Sequence, residues 1–207
     1  MDVIITIFSL VILLFSVIAH ELAHGYVAYS LGDPTAKYAG RLTLNPLKHL
    51  DLFGSIILPL LLFLMQSPFL FGWAKPVPIN PNNFRGQKYG EIKVSLAGPV
   101  SNFLLAVIFG LALRFLPQAI FLQNAGIEIA LSYIVYINIW LAIFNLIPIP
   151  PLDGSWILFN LLPPGAERFK MFFRQYGFII LMFLIISGGI EVFGYLSGFL
   201  FHLITGS

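Results

Sequence analysis

Residues Val11–Asp33 read VILLFSVIAHELAHGYVAYSLGD. Two histidines and a glutamate interrupt a run that otherwise has the composition of a membrane span. Ionisable groups in lipid are costly, so His20, Glu21 and His24 each require a partner or a task. Their spacing supplies one. His20-Glu21-Leu22-Ala23-His24 has the form H-E-x-x-H. On a helix, positions i and i+4 share a face, so the two histidines can hold one metal ion between them. Glu21, one position round from His20, can reach a water on that metal and act as general base. A helix starting at Val3 rises about 26 Å by His20, against a hydrocarbon core of about 30 Å. The motif therefore falls inside the bilayer, close to one face.

The rest of the chain fits that setting. Of 207 residues, 58% are hydrophobic and only 10% are charged. The mean hydropathy is +0.91. A soluble domain of this size needs a far more polar surface. The net charge of +2 is spread over loops and gives no footprint for nucleic acid. With no cysteine in the chain, disulfides, thiolate ligands and cysteine nucleophiles are excluded. Asp2 stands where a signal peptide carries basic residues, so the first segment reads as a retained helix.

Four segments are long enough to cross a bilayer: 3–31, 94–116, 127–147 and 176–203. A fifth, 52–71, is apolar but contains Pro59 and Pro68. Lys37, Arg41 and Lys48 follow the first segment; Lys75, Arg85, Lys88 and Lys93 follow the fifth; Arg168, Lys170 and Arg174 precede the last. Only Arg114 lies on the other side, at a helix end where it can snorkel. The positive-inside rule then places 32–51, 72–93 and 160–175 in the cytoplasm and both termini outside a cell membrane. Residues 52–71 start and end on one side, so they are expected to dip into the membrane and return, or to lie in its interface. Exposed backbone at that depth needs protein or a water-filled cavity beside it. The expected fold is an all-α polytopic membrane protein: four crossing helices, a re-entrant element, and a small cytoplasmic-side β segment in AKYAGRLTL, Ala36–Leu44.

A catalytic zinc usually has three protein ligands and a water. The third candidate lies in FNLIPIPPLDGSW, Phe144–Trp156, where Asp153 follows a proline-rich break. By the charge pattern, helix 127–147 ends at the same membrane face as the H-E-x-x-H motif. Locally Asp153-Gly154 is also an ordinary turn sequence; its pairing with the histidines gives it weight as a ligand.

H-E-L-A-H, S-L-A-G-P-V-S-N (Ser95–Asn102) and N-L-I-P-I-P-P-L-D-G (Asn145–Gly154) together resemble the site-2 protease family of intramembrane zinc metalloproteases. GWAKPVPINPNNF (Gly72–Phe84) is similar to a compact subgroup without a PDZ or CBS domain. The resemblance implies one intramembrane metalloprotease domain over 1–207. It implies zinc held by His20, His24 and Asp153, with Glu21 as base. Its implied substrate is a transmembrane protein, cleaved near the cytoplasmic end of its helix in regulated intramembrane proteolysis.

A helical substrate must unwind, and its freed N–H and C=O groups then need partners. The edge of segment 36–44 can supply them by β-augmentation. Asn145, just before three prolines, is the candidate side-chain contact to substrate. Asn138, seven residues earlier, reads as an interhelical hydrogen bond. His49 either approaches the site or sits in a solvated loop. Glu191 either faces the outer surface or a packed interior. Gly98, Pro99 and Asn102 read as a tightly packed helix start. Gly194 and Gly198 form G-x-x-x-G, which permits close packing and leaves a homodimer open.

The alternative to a protease is a membrane metal-binding or transport protein using the same ligands. It gives Glu21 no task, and it expects polar residues continuing across the bilayer. A catalytically dead scaffold is expected to lose a ligand or the base, and all four residues are present. The topology is directly testable. Single cysteines placed in 32–51 and in 72–93 should be labelled from the same, cytoplasmic, side. Labelling from opposite sides would break the charge argument that brings Asp153 to the histidines.

Overall fold

A computed structural model of the chain describes residues 3–65, 74–85, 89–117, 120–121 and 124–206. The described residues are helical and contain no strand. In chain order the helices are α1 (Val3–Ser30), α2 (Thr35–Tyr38), α3 (Leu58–Leu64), α4 (Gly90–Phe115), α5 (Ala125–Asn145), α6 (Asp153–Leu161), α7 (Glu167–Ile186) and α8 (Glu191–Thr205). Four stretches are long and apolar enough to cross a membrane: Ile4–Ser30, Gly90–Phe115, Gly126–Asn145 and Pro164–Ile186. Their lipid-facing sides are apolar, as Ile4, Leu10, Leu104, Ile108 and Phe183 show. A bilayer gives no hydrophobic drive for helix to meet helix, so small residues and polar bonds set the packing.

The centre is α4, packed against α1, α5, α6 and α8. On its inner face Gly98, Asn102, Ala106 and Gly110 are buried at helical spacing. Towards the Arg114 end, Ala106, Val135 and Ile139 form a closed apolar cluster with Phe109, Ile143, Leu200 and Ile204. Arg114 donates to the carbonyl of Leu203 there.

Three sequence expectations are corrected. Ala36–Leu44 is not a strand. Asp33 accepts hydrogen bonds from the Thr35 N–H and hydroxyl, which winds Thr35–Tyr38 into a single helical turn. Arg41 then turns inward and donates to the carbonyls of Lys75 and Pro76. Strand propensity is overridden by these side-chain bonds.

The re-entrant reading of 52–71 is also not supported. Leu52–Ile57 is a π-helix capped by Asp51, and it continues directly into α3. Pro59 falls at the junction of the two, as the second residue of α3. Residues 66–71 lie outside the described residues. The two flanks of this run do meet, because Lys75 N–H donates to the His49 carbonyl at 2.9 Å. Loops 32–51 and 74–85 thus share one side.

Finally, the last apolar stretch is not one helix. It breaks at Ser187–Ile190, where Gly188 adopts φ +78°, a conformation that favours glycine. The long fourth helix begins near Pro164, and α8 is a separate shorter piece. Asn138 behaves as expected and is buried in interhelical hydrogen bonds. His49 is neither solvated nor in the site. It is fully buried, with Nε2 bonded to the Thr43 carbonyl. Glu191 is exposed in the first turn of α8.

Residues 74–80 have no regular secondary structure, and two prolines bar them from helix or sheet pairing. Asp33 holds their far end. One carboxylate oxygen accepts from Asn80 N–H and the other from Asn83 Nδ2, both at 2.7 Å. Burial pushes the Asp33 pKa up, but the bonds from Asn80, Thr35 and Asn83 outweigh it and hold the pKa below the ordinary value. A depressed carboxyl pKa stabilises the fold above the unfolded-state value of about 3.9 and loses that contribution as pH falls through the folded value. Wild-type melting temperature should therefore drop on acidification below about pH 4 more steeply than that of Asp33→Asn. At neutral pH, Asp33→Ala should destabilise by about 1–3 kcal/mol in a thermal-shift assay. Indistinguishable wild-type and variant curves would remove this role.

Candidate metal centre

The H-E-x-x-H residues lie well inside α1, and the side chains of His20 and His24 turn towards α4. His24 Nδ1 contacts the Val94 carbonyl at 2.7 Å. A carbonyl can only accept, so Nδ1 carries a proton, and the neutral imidazole then presents its lone pair at Nε2. His20 is fixed by the same logic through one further residue. Its Nδ1 lies 2.6 Å from Asn102 Oδ1. The Asn102 amide nitrogen donates to the Ser16 carbonyl and to Asn138 Oδ1, which settles which end of the amide faces His20. Asn138 in turn donates to Ser16 Oγ and to the Ile134 carbonyl. Both imidazoles are thus held as Nδ1–H tautomers with Nε2 turned to the same point, 3.0 Å apart.

Asp153, the first residue of α6, completes the group. Its Oδ2 lies 3.0 Å from His20 Nε2 and 3.2 Å from His24 Nε2, yet it is buried with no hydrogen-bond partner. Ligand atoms of the three residues fall within 4.8 Å of one another. With both imidazoles neutral, three electron-rich atoms face one another here, an arrangement that a bound cation stabilises. Two imidazoles and one carboxylate, with outer nitrogens bonded to a carbonyl and an amide, suit zinc. Room for an ion also depends on Gly98. A Cβ at that position would lie 2.4 Å from Nε2 of both histidines.

The group forms the floor of a cleft of about 430 Å³ that also exposes Glu21 and Asn145. Glu21 is half-buried, and its Oε2 accepts from Val77 N–H at 2.7 Å. Asn145 donates to the Leu141 carbonyl while lining the cleft. Val77, Ile79, Phe84, Val94 and Trp156 make the walls largely apolar. His20, Glu21, His24, Asn145 and Asp153 therefore line one cleft, whereas His49 and segment 36–44 do not. Sequence reasoning missed Asn102, assigned only to a helix start, although it lies within α4 and orients His20. Its place on the face of Gly98, four residues on, signalled that it points inward but not that it meets His20.

The geometry yields a test of metal affinity. Asn102→Leu keeps the volume but removes the acceptor on His20, and zinc affinity should fall about 10–100-fold. Gly98→Ala forces a methyl group against both imidazoles and should reduce zinc content further. Titration with a chelating indicator reads both. Wild-type affinity in Gly98→Ala would mean that the metal binds elsewhere.

Comparison with known proteins bears on the family. The family model described as Peptidase family M50 matches residues 119–184, a stretch that includes Asn145 and Asp153. YwhC of Bacillus subtilis (strain 168), named "Putative zinc metalloprotease YwhC", is 42% identical over 185 residues, 87% of this chain and 80% of its own length. Rip2 of Mycolicibacterium smegmatis and Rip2 of Mycobacterium tuberculosis (strain H37Rv), with names of the same form, are 33% and 29% identical over 84% of this chain. The match spans 64% of the length of each Rip2 protein, just under two thirds. No solved structure matches the chain. With most of both chains aligned to YwhC, and the family model falling on the segment that carries Asp153, this chain belongs to peptidase family M50, the site-2 protease family of metalloproteases.

Proposed function

We propose that residues 1–207 act as a single intramembrane zinc endopeptidase domain, with His20, His24 and Asp153 as zinc ligands, Glu21 as general base and Asn145 as a substrate contact. One observation carries the reading. Two oriented Nε2 atoms and an unpartnered carboxylate oxygen converge on the floor of a cleft that also presents Glu21. The names of the relatives as zinc metalloproteases support zinc as the metal. The substrate is a transmembrane protein. Its helix is cut near its cytoplasmic end in regulated intramembrane proteolysis, and the basic side of the protein faces the cytoplasm of a cell membrane.

A zinc ion bound by these residues supplies Lewis-acid activation of a water and of the scissile carbonyl. The protein's own groups do the rest. Glu21 takes the proton from the attacking water and later returns it to the leaving amine. Val77 N–H holds one carboxylate oxygen of Glu21 and so fixes the direction of the other. Asn145, with one amide proton on Leu141, has its remaining amide capacity for an unwound peptide backbone. The apolar walls keep bulk water from competing for that backbone.

A metal-transport reading fares worse. Beyond Asn102, Asn138 and Ser16, the cluster of Ala106, Val135 and Ile139 with Phe109 and Ile204 offers no ligand for an ion continuing through the membrane.

The two acidic residues separate these activities. Glu21→Gln should retain zinc and lose cleavage of a model transmembrane substrate by about 10²–10⁴-fold. Asp153→Asn should lose zinc and cleavage together. Transport requires the reverse ordering, with Glu21 neutral. Near-wild-type cleavage by Glu21→Gln would defeat the protease mechanism.

A further inference from the structure

We propose that Glu91 selects substrates carrying a lysine or arginine just on the cytoplasmic side of the scissile bond. The inference rests on the protease reading and adds a determinant of specificity to that same site. Three carboxylates line the cleft, those of Glu21, Glu91 and Asp153, and among the described residues no lysine or arginine lines it. Glu21 and Asp153 are committed to the chemistry; Glu91 takes no part in it. Glu91 stands half-buried in the first turn of α4. Asn160 of α6 donates to its Oε2 at 2.9 Å, which holds the carboxylate in place without neutralising it. Among the described residues no cationic side chain pairs with Glu91.

Register along α4 gives the charge a position. Ser95 and Gly98 follow Glu91 on the same helix face, at helical spacing. Ser95 lines the cleft, and Gly98 lies against both metal-site imidazoles. One wall of the cleft therefore runs from the metal site at Gly98 to a fixed negative charge at Glu91. Seven residues of helix rise about 10 Å, and an extended peptide covers that distance in about three residues. The segments next to this wall in sequence carry the opposite sign, with Lys75 and Arg85 before Glu91 and Lys93 after it. A cationic residue that enters the cleft meets a compensating charge at Glu91. Membrane-crossing segments concentrate Lys and Arg on their cytoplasmic flank. Glu91 thus reads the chemical mark of where a substrate's span ends, and sets the cut about three residues towards the membrane from it.

The test uses full-length protein in micelles and one designed probe. The probe is a transmembrane peptide with a Leu–Ala span and a single Lys, Gln or Glu in its cytoplasmic flank. Binding is read in the Glu21→Gln background, so it does not depend on turnover. The Lys probe should bind about fivefold tighter than the Gln probe, and the Glu probe should bind weakest. Glu91→Gln should level the three. Asn160→Leu removes the bond to Glu91 but keeps the charge, so it should preserve the ranking; a purely structural Glu91 would make the two variants alike. With Glu21 intact, cleavage should follow the same order through KM rather than kcat. Equal affinity for the three probes, or a ranking unchanged by Glu91→Gln, overturns the proposal. Cleavage without any ranking leaves the protease reading standing and removes this one. Ranked binding without cleavage by the wild-type protein does the opposite.

Discussion

One amide holds the helices in register. Asn102 accepts from His20 on α1, donates to the Ser16 carbonyl on the same helix, and donates to Asn138 on α5. It is fully buried. In water such bonds exchange with solvent; in a bilayer each broken one leaves a polar group with nothing to replace it. Sliding any of the three helices by one residue would break several at once. The same contacts that align α1, α4 and α5 also fix the tautomer of His20. Helix packing and metal-site geometry are one constraint here, and the polar groups that seem costly inside a membrane are what specify the arrangement.

That constraint explains what could be read from the sequence. His20, Glu21 and His24 were legible because their relation is local: a helix converts a spacing of four into a shared face. Asp153 was legible through a global regularity, the distribution of basic residues over loops, which placed its turn on the right side. Asn102 was not legible as a partner of His20. Its role depends on the angle and depth at which α4 meets α1, and no local pattern encodes that. Segment 36–44 failed for a related reason. Its strand-forming residues answer to Asp33 and Arg41, whose partners lie in 74–83. The last apolar run was read from hydropathy as one crossing, but its break at Gly188 depends on one backbone conformation that hydropathy does not register.

The cleft wall of residues 74–80 shows a second way to hold backbone in place. With Pro76 and Pro78 in it, the segment cannot join a ladder. Its remaining groups are taken one at a time by other parts of the chain: Lys75 N–H by the His49 carbonyl, Val77 N–H by Glu21, Asn80 N–H by Asp33. With Arg41 on the Lys75 and Pro76 carbonyls, the wall is positioned from four separate points along residues 21–49. Glu21, the proposed general base, is one of them, so the wall and the proposed centre cannot move independently.

The position of Asp153 gives the metal a mechanical meaning. His20 and Asp153 are about 130 residues apart in sequence, and their side chains meet at 3.0 Å. A cation held by both is a cross-link that closes most of the chain into a ring. The chain has no cysteine, so no disulfide can do this work. Loop-closure entropy grows only slowly with ring size, but it is largest for a ring of this length. At the proposed site, removing such an ion would do more than disarm a reaction centre. It would open the ring and leave two imidazoles and a carboxylate facing one another, so chelation should loosen the joint between α1 and α6 as a whole.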